Sequence, residues 1–466
     1  MKIITLMNKF INTFNEILLN NLNYLNIESK IRDIGDNFTI DLYTTLINDI
    51  DEKFKNSKER KEKYNIKETR SKTLITSIGT LTIQCTSYVN KETKERYVYL
   101  RDILDIKPYQ RLTNEAEFQL VKYAMTENMS QSAKKALRNT LVSRSTVSKL
   151  IRRLKGSTKE EIKQSENTPK TLYIEMDEVH ANLQQGGNKI SPCAIVHEGY
   201  KEDFVKRKEL KNTHYFASSK LTYEELWEVI YDYVDKKYDI DKIKYLFISG
   251  DGAKGIKNYT NCFPQGIFVL DKFHYSNKHL GYIFKTNYEL KRTADEYLRN
   301  DMIEEFKKLV EAQTKIYPEQ KEFMIMHRDY ILNNLDGIKN QKHPEYKCPC
   351  SMEGHVNHGF ARYITSSPYG FSPDGLENKL KLLVCYKNNY ELNIEDYYSL
   401  KYGEDKQQTI NIKIRKLTDI KYNQKLTTNI PKTYENLNSG IPKFDLPEQN
   451  AKLYELISQR KEIYII

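Results

Sequence analysis

Two apolar stretches that each lead to an aspartate constrain the fold more than any other feature of this sequence. Residues Tyr245–Ser249 and Ile267–Leu270 are nearly continuous apolar runs, and Asp251 and Asp271 follow them within two residues. Such runs are typical of strands that are covered on both faces, as in a parallel sheet between helices. Sites in these sheets gather at the carboxyl ends of the strands. The sequence therefore predicts an α/β fold with acidic side chains along one sheet edge.

A third predicted strand, Leu172–Met176, also leads to acids. Side chains alternate along a strand, so Glu175 and Asp177 share one face, and Glu178 follows directly. Which of these carboxylates acts is left open by the residues themselves. A pair such as Asp177 and Asp251 is suited to a hard cation, because Mg²⁺ prefers oxygen ligands. The alternative for each aspartate is an ordinary turn or helix-cap residue.

A third acid for such a site is Glu353. Met352, Val356, Phe360 and Ile364 repeat every four residues, which predicts one helical face that ends before Pro368. Glu353 stands at the border of that face and can point towards Asp177 and Asp251. Three carboxylates can hold a pair of ions about 3.5–4 Å apart, the arrangement used in phosphoryl transfer.

The N-terminal region predicts a different structure. A run of β-branched residues around Ile78-Gly79 indicates a β-hairpin. Residues 130–156 then read as two short helices joined by a turn, with Ser143 or Ser145 as a cap of the second. A helix-turn-helix would bring the basic side chains of the second helix to DNA phosphates, and a plain helical hairpin with solubilising charges is the alternative. Those basic residues are Arg144, Lys149, Arg152 and Arg153.

Charge and cysteine content narrow the class of protein. The 466 residues carry 74 Lys and Arg against 63 Asp and Glu, a net charge of +11 that suits a polyanionic partner. No stretch reaches the roughly 18 apolar residues of a membrane span. Six scattered cysteines do not form a disulfide framework, which favours a reduced cytoplasmic protein. A zinc module is an alternative, because one short stretch has the pattern C-x-C-x₄-H-x₂-H, although its C-x-C spacing is tighter than usual. Its members are Cys348, Cys350, His355 and His358.

Four segments in a fixed order resemble one family. They are LYIEMDEVHANLQ, ISGDGAKGIKNY, FVLDKFHYSNKHL and CSMEGHVNHGFARYITSSPYGFS. In this order they resemble the ISLre-type bacterial insertion-sequence transposases, which stand near the Mutator-like group of DDE transposases. The resemblance extends over roughly residues 70–385. It implies a ribonuclease-H-like catalytic domain whose metal-binding acids fall on Asp177, Asp251 and Glu353. The Asp-x-x-His motif of that group falls on Asp271 and His274.

The resemblance also implies an activity and partners. These are cleavage at transposon ends with two Mg²⁺ or Mn²⁺ ions, followed by strand transfer into target DNA. The substrate is double-stranded DNA, bound at its terminal inverted repeats by the N-terminal part with its helix-turn-helix. A homodimer or larger synaptic complex and a cytoplasmic, nucleoid-associated location are further expectations. A catalytically silent DNA-binding protein and a nuclease that does not join strands remain the alternatives.

The sequence patterns and the family resemblance together divide the chain into five predicted parts. Residues 1–168 form the N-terminal DNA-binding region, and residues 401–466 form a basic extension. Between them, residues 169–275 and 346–400 make the two parts of the catalytic domain. Residues 276–345 separate those two parts. Their apolar residues recur at three- and four-residue spacing, which predicts an all-helical insertion.

Overall fold

A computed structural model describes residues 2–19, 27–156, 161–202, 208–285, 287–365 and 370–403. The chain has a mixed α/β structure that divides into two compact units. Unit 1 comprises Met1–Arg153, Asn182–Gly187 and Ala361–Tyr386, and unit 2 comprises Leu154–Ala181, Asn188–Phe360 and Lys387–Ile466. This division assigns residues 361–386 to the N-terminal unit, whereas the sequence predicts them in the catalytic domain. Most of the predicted basic extension, from residue 404 on, lies outside the described residues.

The elements are named in chain order. They are α1 Lys2–Leu19, α2 Ile27–Asn56, α3 Lys58–Lys63, β1 Tyr64–Thr76, β2 Gly79–Asn90, β3 Arg96–Tyr97, α4 Tyr99–Ile103, α5 Asn114–Thr126, α6 Met129–Lys135, α7 Arg144–Arg152, β4 Thr171–Asn182, β5 Asn188–His197, β6 His214–Ala217, α8 Tyr223–Lys237, β7 Tyr245–Gly250, α9 Lys254–Lys257, β8 Gly266–Leu270, α10 Gly281–Phe284, α11 Tyr288–Arg299, α12 Ile303–Ile316, α13 Lys321–Asn333, α14 Leu335–Lys339, α15 Met352–His355, α16 Arg362–Ile364, α17 Pro373–Lys387 and α18 Ile394–Tyr402. Two π-helical segments, Phe273–Leu280 and Val356–Ala361, complete the elements used below.

Unit 1 is built around the predicted hairpin. Strands β1 and β2 pair antiparallel from Tyr64↔Asn90 to Thr76↔Gly79, and β3 adds a short third strand beside β2. The apolar end of the hairpin packs on α2, where Ile47 joins Leu74 and Leu81 in one core cluster. The other end of the hairpin carries charged residues, so its face changes from apolar to polar along the strands.

Helices α6 and α7 occupy the stretch in which two helices were predicted. The Ser143 hydroxyl accepts a hydrogen bond from the Thr146 N–H at 3.2 Å, so Ser143 is the N-cap of α7. Val147, Leu150 and Ile151 are buried on the inner face of α7. The apolar periodicity and the cap are therefore confirmed.

Unit 2 contains a five-stranded sheet in the order β6-β5-β4-β7-β8. Strands β4, β7 and β8 are parallel, and β5 pairs antiparallel with β6. Helix α8 begins at a capping box formed by Thr222 and Glu225, which satisfies the free backbone donors of its first turn. The regular elements that the structure describes between positions 273 and 342 are all helical, as the spacing predicts.

The two faces of this sheet pack against different groups. Leu172, Ile174 and Met176 of β4 lie in the larger core cluster, which includes Trp227 of α8. Tyr173 faces the other way and packs with Phe247, Val269 and Cys348. The alternation predicted for β4 is thus confirmed, and Glu175 and Asp177 lie on the Tyr173 face. The predicted end of the strand at Met176 is wrong, because β4 continues to Asn182 and Asp177 lies within it.

Candidate functional site

Three aspartates lie in a row across β4, β7 and β8. Glu175 pairs with Ser249, and Gly250 pairs with Leu270. Continuing these registers sets Asp177 beside Asp251 and Asp251 beside Asp271. Neighbouring strands are about 4.8 Å apart, so the three side chains share one short edge. The parallel pairing and the chain turn at Gly252, whose φ of +80° suits glycine, therefore create this row.

Glu353 reaches the same edge from α15. Single donor atoms of Asp177, His274 and Glu353 all lie within 4.8 Å of one another. Glu353 is oriented on its helix by Asn357, whose side-chain amide donates to Oε1 at 2.9 Å. Asp251 lies outside this 4.8 Å group, yet its charge acts on Asp177 from the next strand. The four predicted residues are thus brought to one place, and their role as ligands stays a prediction.

The basic side chain that lies among these acids is His274, which is already bonded to Asp271. Among the described residues, no lysine or arginine forms an ion pair with Asp177, Asp251 or Glu353. Burial raises the pKa of Asp177 to about 6, and the charges of Asp251 and Glu353 contribute in the same direction. The Glu178 N–H, bonded to Asp177, and His274 oppose that shift in pKa. An oxygen-rich cluster with unbalanced negative charge fits a hard divalent cation.

His274 is held by Asp271. Its Nδ1 lies 2.8 Å from Oδ2 of Asp271, and both side chains are buried. Burial lowers the pKa of His274, but the hydrogen bond and charge of Asp271, with Asp177, outweigh it, so the net shift is upward. Because Asp271 occupies Nδ1, Nε2 is the nitrogen that remains for Asp177, Glu353 or a ligand. The arrangement can hold or release a proton at that atom.

Both π-helical segments border this edge. Phe273–Leu280 contains His274, and Val356–Ala361 begins three residues after Glu353. π-helical turns are rare and occur frequently at functional sites, because the wider turn re-aims side chains. A four-residue apolar repeat does not distinguish a π turn from an α turn, so neither segment is predicted by the sequence.

Hydrogen bonds distinguish the three acids of β4. Glu175 is buried, with both carboxylate oxygens bonded within the protein. Glu178 accepts a short hydrogen bond from the Tyr223 hydroxyl. Asp177 is the acid of this strand that meets His274 and Glu353. The geometry therefore favours Asp177 among the alternatives that the residues leave open.

Glu175 ties three parts of unit 2 together. Its Oε1 lies 3.1 Å from Nε2 of His197 on β5, and its Oε2 accepts from both the N–H and the hydroxyl of Ser351. Ser351 directly precedes α15, which carries Glu353. A buried carboxylate with charge-assisted bonds is therefore an anchor for the helix that delivers Glu353.

Glu175, His197 and Cys348 also satisfy the distances of a metal site, because one donor atom of each lies within 4.8 Å of the others. The hydrogen bonds argue against a metal there. The Gly199 N–H donates to Nδ1 of His197, so Nε2 carries the ring proton and donates to Glu175. A ligating histidine instead donates from its second nitrogen. Burial raises the pKa of the Cys348 thiol to about 12, which keeps it protonated at neutral pH.

The predicted zinc residues do not converge within the described part of the chain. Cys348 groups with Glu175 and His197 instead of with the other three residues. Nδ1 of His355 lies 2.8 Å from the Tyr215 hydroxyl, and His358 is exposed. The two cysteines of this pattern precede α15, and Cys348 packs on the sheet. The two histidines lie at the end of α15 and after it, so the cysteines and the histidines face different neighbours.

The four predicted DNA-binding residues lie on or just after α7 in unit 1. Arg144, Lys149, Arg152 and Arg153 are all exposed. They form the outer face that the helical spacing predicts, and their contact with DNA stays a prediction.

Two expectations from composition can be compared with the structure. All six cysteines are free thiols, in agreement with the absence of a disulfide framework. Within the described residues, no helix combines the length and the apolar character that crossing a membrane requires.

The residues that the sequence does not reveal are the partners of the acids. Ser351, His197 and Tyr223 each bond a carboxylate of β4 from another element. The one available signal is Glu175 itself, a carboxylate between the apolar residues Ile174 and Met176, which requires a partner when it is buried.

Comparison with known proteins gives a family. The model of the uncharacterised protein family UPF0236 matches residues 17–397. A UPF0236 protein of Caldanaerobacter subterraneus subsp. tengcongensis, whose name joins eleven loci, is 31% identical over 444 residues, covering 92% of this chain and 91% of that protein. Another from the same bacterium is 32% identical over 392 residues, covering 81% of this chain and 82% of that protein. Since the family match spans most of the sequence, the chain belongs to the uncharacterised protein family UPF0236.

Proposed function

We propose that this protein is a DDE transposase of a bacterial insertion sequence, which cleaves DNA at the ends of its element and joins them to a target. The observation that carries the proposal is the cluster of Asp177, Glu353 and His274 beside Asp251, with no lysine or arginine paired to the acids among the described residues. Such a cluster suits phosphodiester chemistry better than a structural role, because unbalanced charge destabilises the fold unless a ligand neutralises it.

Two further observations support the same proposal. The sheet is mixed and has three parallel strands, with Asp177 within the first strand in chain order and Asp251 directly after the fourth. A later helix carries the third acid, Glu353, and a ribonuclease-H-like core has acids in this order. A relative whose name joins eleven loci of one bacterium is expected of an element that copies itself within a genome.

The chain's own residues divide the chemical work. Asp177, Asp251 and Glu353 would hold two Mg²⁺ or Mn²⁺ ions, which when bound activate the attacking oxygen and stabilise the leaving one. His274 holds or releases a proton at Nε2 near the scissile phosphate, with its ring fixed by Asp271. Glu175 keeps α15 in place, so that Glu353 stays at the edge of the sheet.

The remaining roles follow from the resemblance and the charge. The exposed Arg144, Lys149, Arg152 and Arg153 of unit 1 contact phosphates of the terminal inverted repeats. Double-stranded DNA is the substrate, and a homodimer or larger assembly brings two ends together. The proposed site of action is the nucleoid in the cytoplasm.

The experiment is cleavage of a labelled DNA that carries the element's own ends, with Mg²⁺ or Mn²⁺. We expect Asp177→Asn, Asp251→Asn and Glu353→Gln each to lower the cleavage rate by at least about a thousandfold, because each removes a carboxylate that would hold the metal ions. End binding should stay within twofold of the wild type in a mobility-shift assay.

The products distinguish the alternatives. Cleavage followed by joining of the 3′ ends to a second DNA supports the transposase. Cleavage without joining would identify a nuclease, and end binding without cleavage would identify a silent DNA-binding protein. Retention of cleavage in any one of the three variants removes that residue from the site.

A further inference from the structure

A second feature of unit 1 carries unbalanced charge of the opposite sign. A pocket of about 580 Å³ opens beside the polar end of the β1–β2 hairpin. Its lining includes five positive side chains and one carboxylate, and none of the four predicted DNA-binding residues on or after α7 belongs to it. The charged residues of the lining are Glu68, Arg70, Lys72, Arg96, Arg101 and Arg111.

The hairpin register explains why these charges meet. Arg70 pairs with Cys85 and Lys72 with Ile83, so both basic residues lie on one face of β1, two residues apart. That spacing separates them by about 7 Å along the strand. Arg101 reaches the pocket from α4, and Arg111 from the segment that precedes α5. The positive charges therefore come from three stretches of chain that are separate in sequence.

The single carboxylate of the lining is already occupied. Oε2 of Glu68 lies 2.7 Å from Arg70, and its Oε1 lies 2.7 Å from Arg96. Lys72, Arg101 and Arg111 form no ion pair within the part of the chain that the structure describes. Asp51, a buried acid on α2, is not among the lining residues. Its Oδ2 accepts hydrogen bonds from the backbone N–H and the hydroxyl of Thr86.

Two observations indicate that Lys72 and Arg101 are held close together against the repulsion of their charges. The Nε–H of Arg101 is buried and has no hydrogen-bond partner in the described protein. Burial lowers the pKa of Lys72, and the positive charge of Arg101 lowers it further. A buried donor and unrelieved like charges cost free energy unless an anion binds them.

We infer that this pocket is a second DNA contact, which binds backbone phosphates through Lys72, Arg101 and Arg111. The inference rests on the proposed function for the choice of DNA as the polyanion. Arginine guanidinium groups match phosphate oxygens with paired hydrogen bonds, and the burial of Lys72 strengthens its attraction. Small-molecule pockets are lined mainly by apolar side chains, whereas six of the residues that line this pocket are charged. Phosphate contacts fix the position of the duplex and carry no sequence information.

The test measures binding of the full chain to a fluorescein-labelled 20-base-pair duplex of arbitrary sequence, by fluorescence anisotropy in EDTA. The variant combines Lys72→Gln, Arg101→Gln and Arg111→Gln. Its matched control combines Lys30→Gln, Arg32→Gln and Lys53→Gln, which removes three exposed positive charges of α2 in the same unit. We expect a loss of affinity of at least tenfold for the pocket variant and of less than threefold for the control. The plot of log affinity against log salt should also become shallower by about 2–3, since each phosphate contact contributes about 0.9.

Equal duplex affinity of the two variants would overturn the inference. If the triple variant does not fold, Arg111→Gln alone is compared with Lys53→Gln alone by the same measurement. The wild-type chain provides a second readout, because Cys85 lines the pocket whereas Cys262 is an exposed thiol of unit 2. Saturating duplex should slow alkylation of Cys85 at least fivefold relative to that of Cys262, and an unchanged ratio counts against the pocket.

Two further measurements distinguish DNA binding at the pocket from binding of a small phosphate ligand and from the proposed catalytic function. If inorganic phosphate shields Cys85 as fully as the duplex does and the triple variant keeps its duplex affinity, the pocket serves a small phosphate ligand and the inference fails. Asp177→Asn should bind the duplex like the wild type. An absence of DNA cleavage by the wild type would remove the proposed function, whereas the pocket comparison depends only on binding.

Discussion

The two units carry unbalanced charge of opposite sign: unit 2 has a tight cluster of acids, and unit 1 has a wide pocket lined by basic residues. In unit 2, Asp177 of β4, Asp251 after β7 and Glu353 of α15 lie close together without a lysine or arginine partner among the described residues. In unit 1, Lys72 and its arginine neighbours surround a pocket of about 580 Å³ whose one carboxylate is already paired. A tight cluster of oxygens suits a small cation, whereas a wide positive pocket suits an extended anion. The difference is the basis for our proposal that unit 2 carries out the chemistry and unit 1 binds DNA.

After the three acids, the largest expected effect concerns His274. We predict that His274→Gln lowers the DNA cleavage rate by about 10²–10⁴-fold, the range typical of a lost acid or base. Asp271→Asn should lower it less, because Asp271 acts on the reaction by holding the ring. Single-turnover cleavage of the wild type, both single variants and the double variant measures these effects.

The double variant is the internal control. If Asp271 acts through His274, adding Asp271→Asn to His274→Gln should change the rate by less than threefold. Fully additive losses would contradict this linkage and give Asp271 an independent role.

Glu175 tests whether the anchor of α15 matters to the acidic site. We predict that Glu175→Gln lowers the cleavage rate about 10–100-fold and raises the Mg²⁺ concentration needed for half-maximal rate, as outer partners of metal ligands do. The reason is that Ser351 loses its charged acceptor and Glu353 loses its fixed position.

Glu198→Gln is the matched control for Glu175→Gln. Glu198 is a buried carboxylate of the same unit that pairs with Lys211 and accepts from Tyr238, away from α15. Its removal should leave the cleavage rate within twofold of the wild type. Equal losses in both variants would mean that Glu175 contributes only to general stability.

The pocket variant tests whether unit 1 contributes to DNA binding without contributing to the chemical step. Lys72→Gln combined with Arg101→Gln and Arg111→Gln should raise KM for DNA about tenfold and change kcat by less than twofold, because the lost contacts are equal in ground state and transition state. Steady-state cleavage kinetics measure KM and kcat separately. A fall in kcat with unchanged KM would show that the pocket acts on the chemical step.

The smallest predicted effect is a dependence of stability on pH in unit 2. Burial, with the charge of Lys237, lowers the pKa of His214 to about 3 from its usual 6.5. Above pH 6.5 the folded and unfolded states are both neutral at this residue. As pH falls from 6.5 towards 3 the unfolded state takes up the proton first, so unfolding becomes easier by up to about 1.4 kcal/mol per pH unit.

His214→Phe isolates this contribution. It keeps the ring that stacks on Tyr233, and the side-chain amide of Asn388 keeps its bond to the Tyr215 carbonyl. Urea unfolding between pH 4.5 and 7 should show a shallower pH slope for the variant than for the wild type. Identical slopes would exclude His214 as the source.

Sequence patterns predict elements well where one residue and its neighbours decide the outcome. The apolar runs before Asp251 and Asp271, the alternation around Asp177 and the four-residue repeat around Glu353 all depend on local period, and the structure has strands and a helix there. Register then follows, because a parallel sheet aligns its carboxyl ends.

What the sequence does not reveal depends on distant contacts. The bonds of Glu175 to Ser351 and to His197 cross 176 and 22 residues of chain. The basic pocket gathers Lys72, Arg101 and Arg111 from three stretches, each of which alone reads as ordinary surface charge. The zinc pattern misleads for the same reason, because spacing along the chain does not say which way Cys348 and His355 face.

Whether the acidic cluster of unit 2 binds a divalent cation is measured by calorimetric titration of Mn²⁺ into the purified chain. Asp251 is the decisive residue, since it lies in the row of acids but outside the group of Asp177, His274 and Glu353. We predict that the wild type binds Mn²⁺ and that Asp251→Asn weakens binding at least tenfold. Asp239→Asn, which removes an acid paired with Lys242, should not change the affinity. If the wild type and Asp251→Asn bind Mn²⁺ with the same affinity, the three acids do not form a metal site.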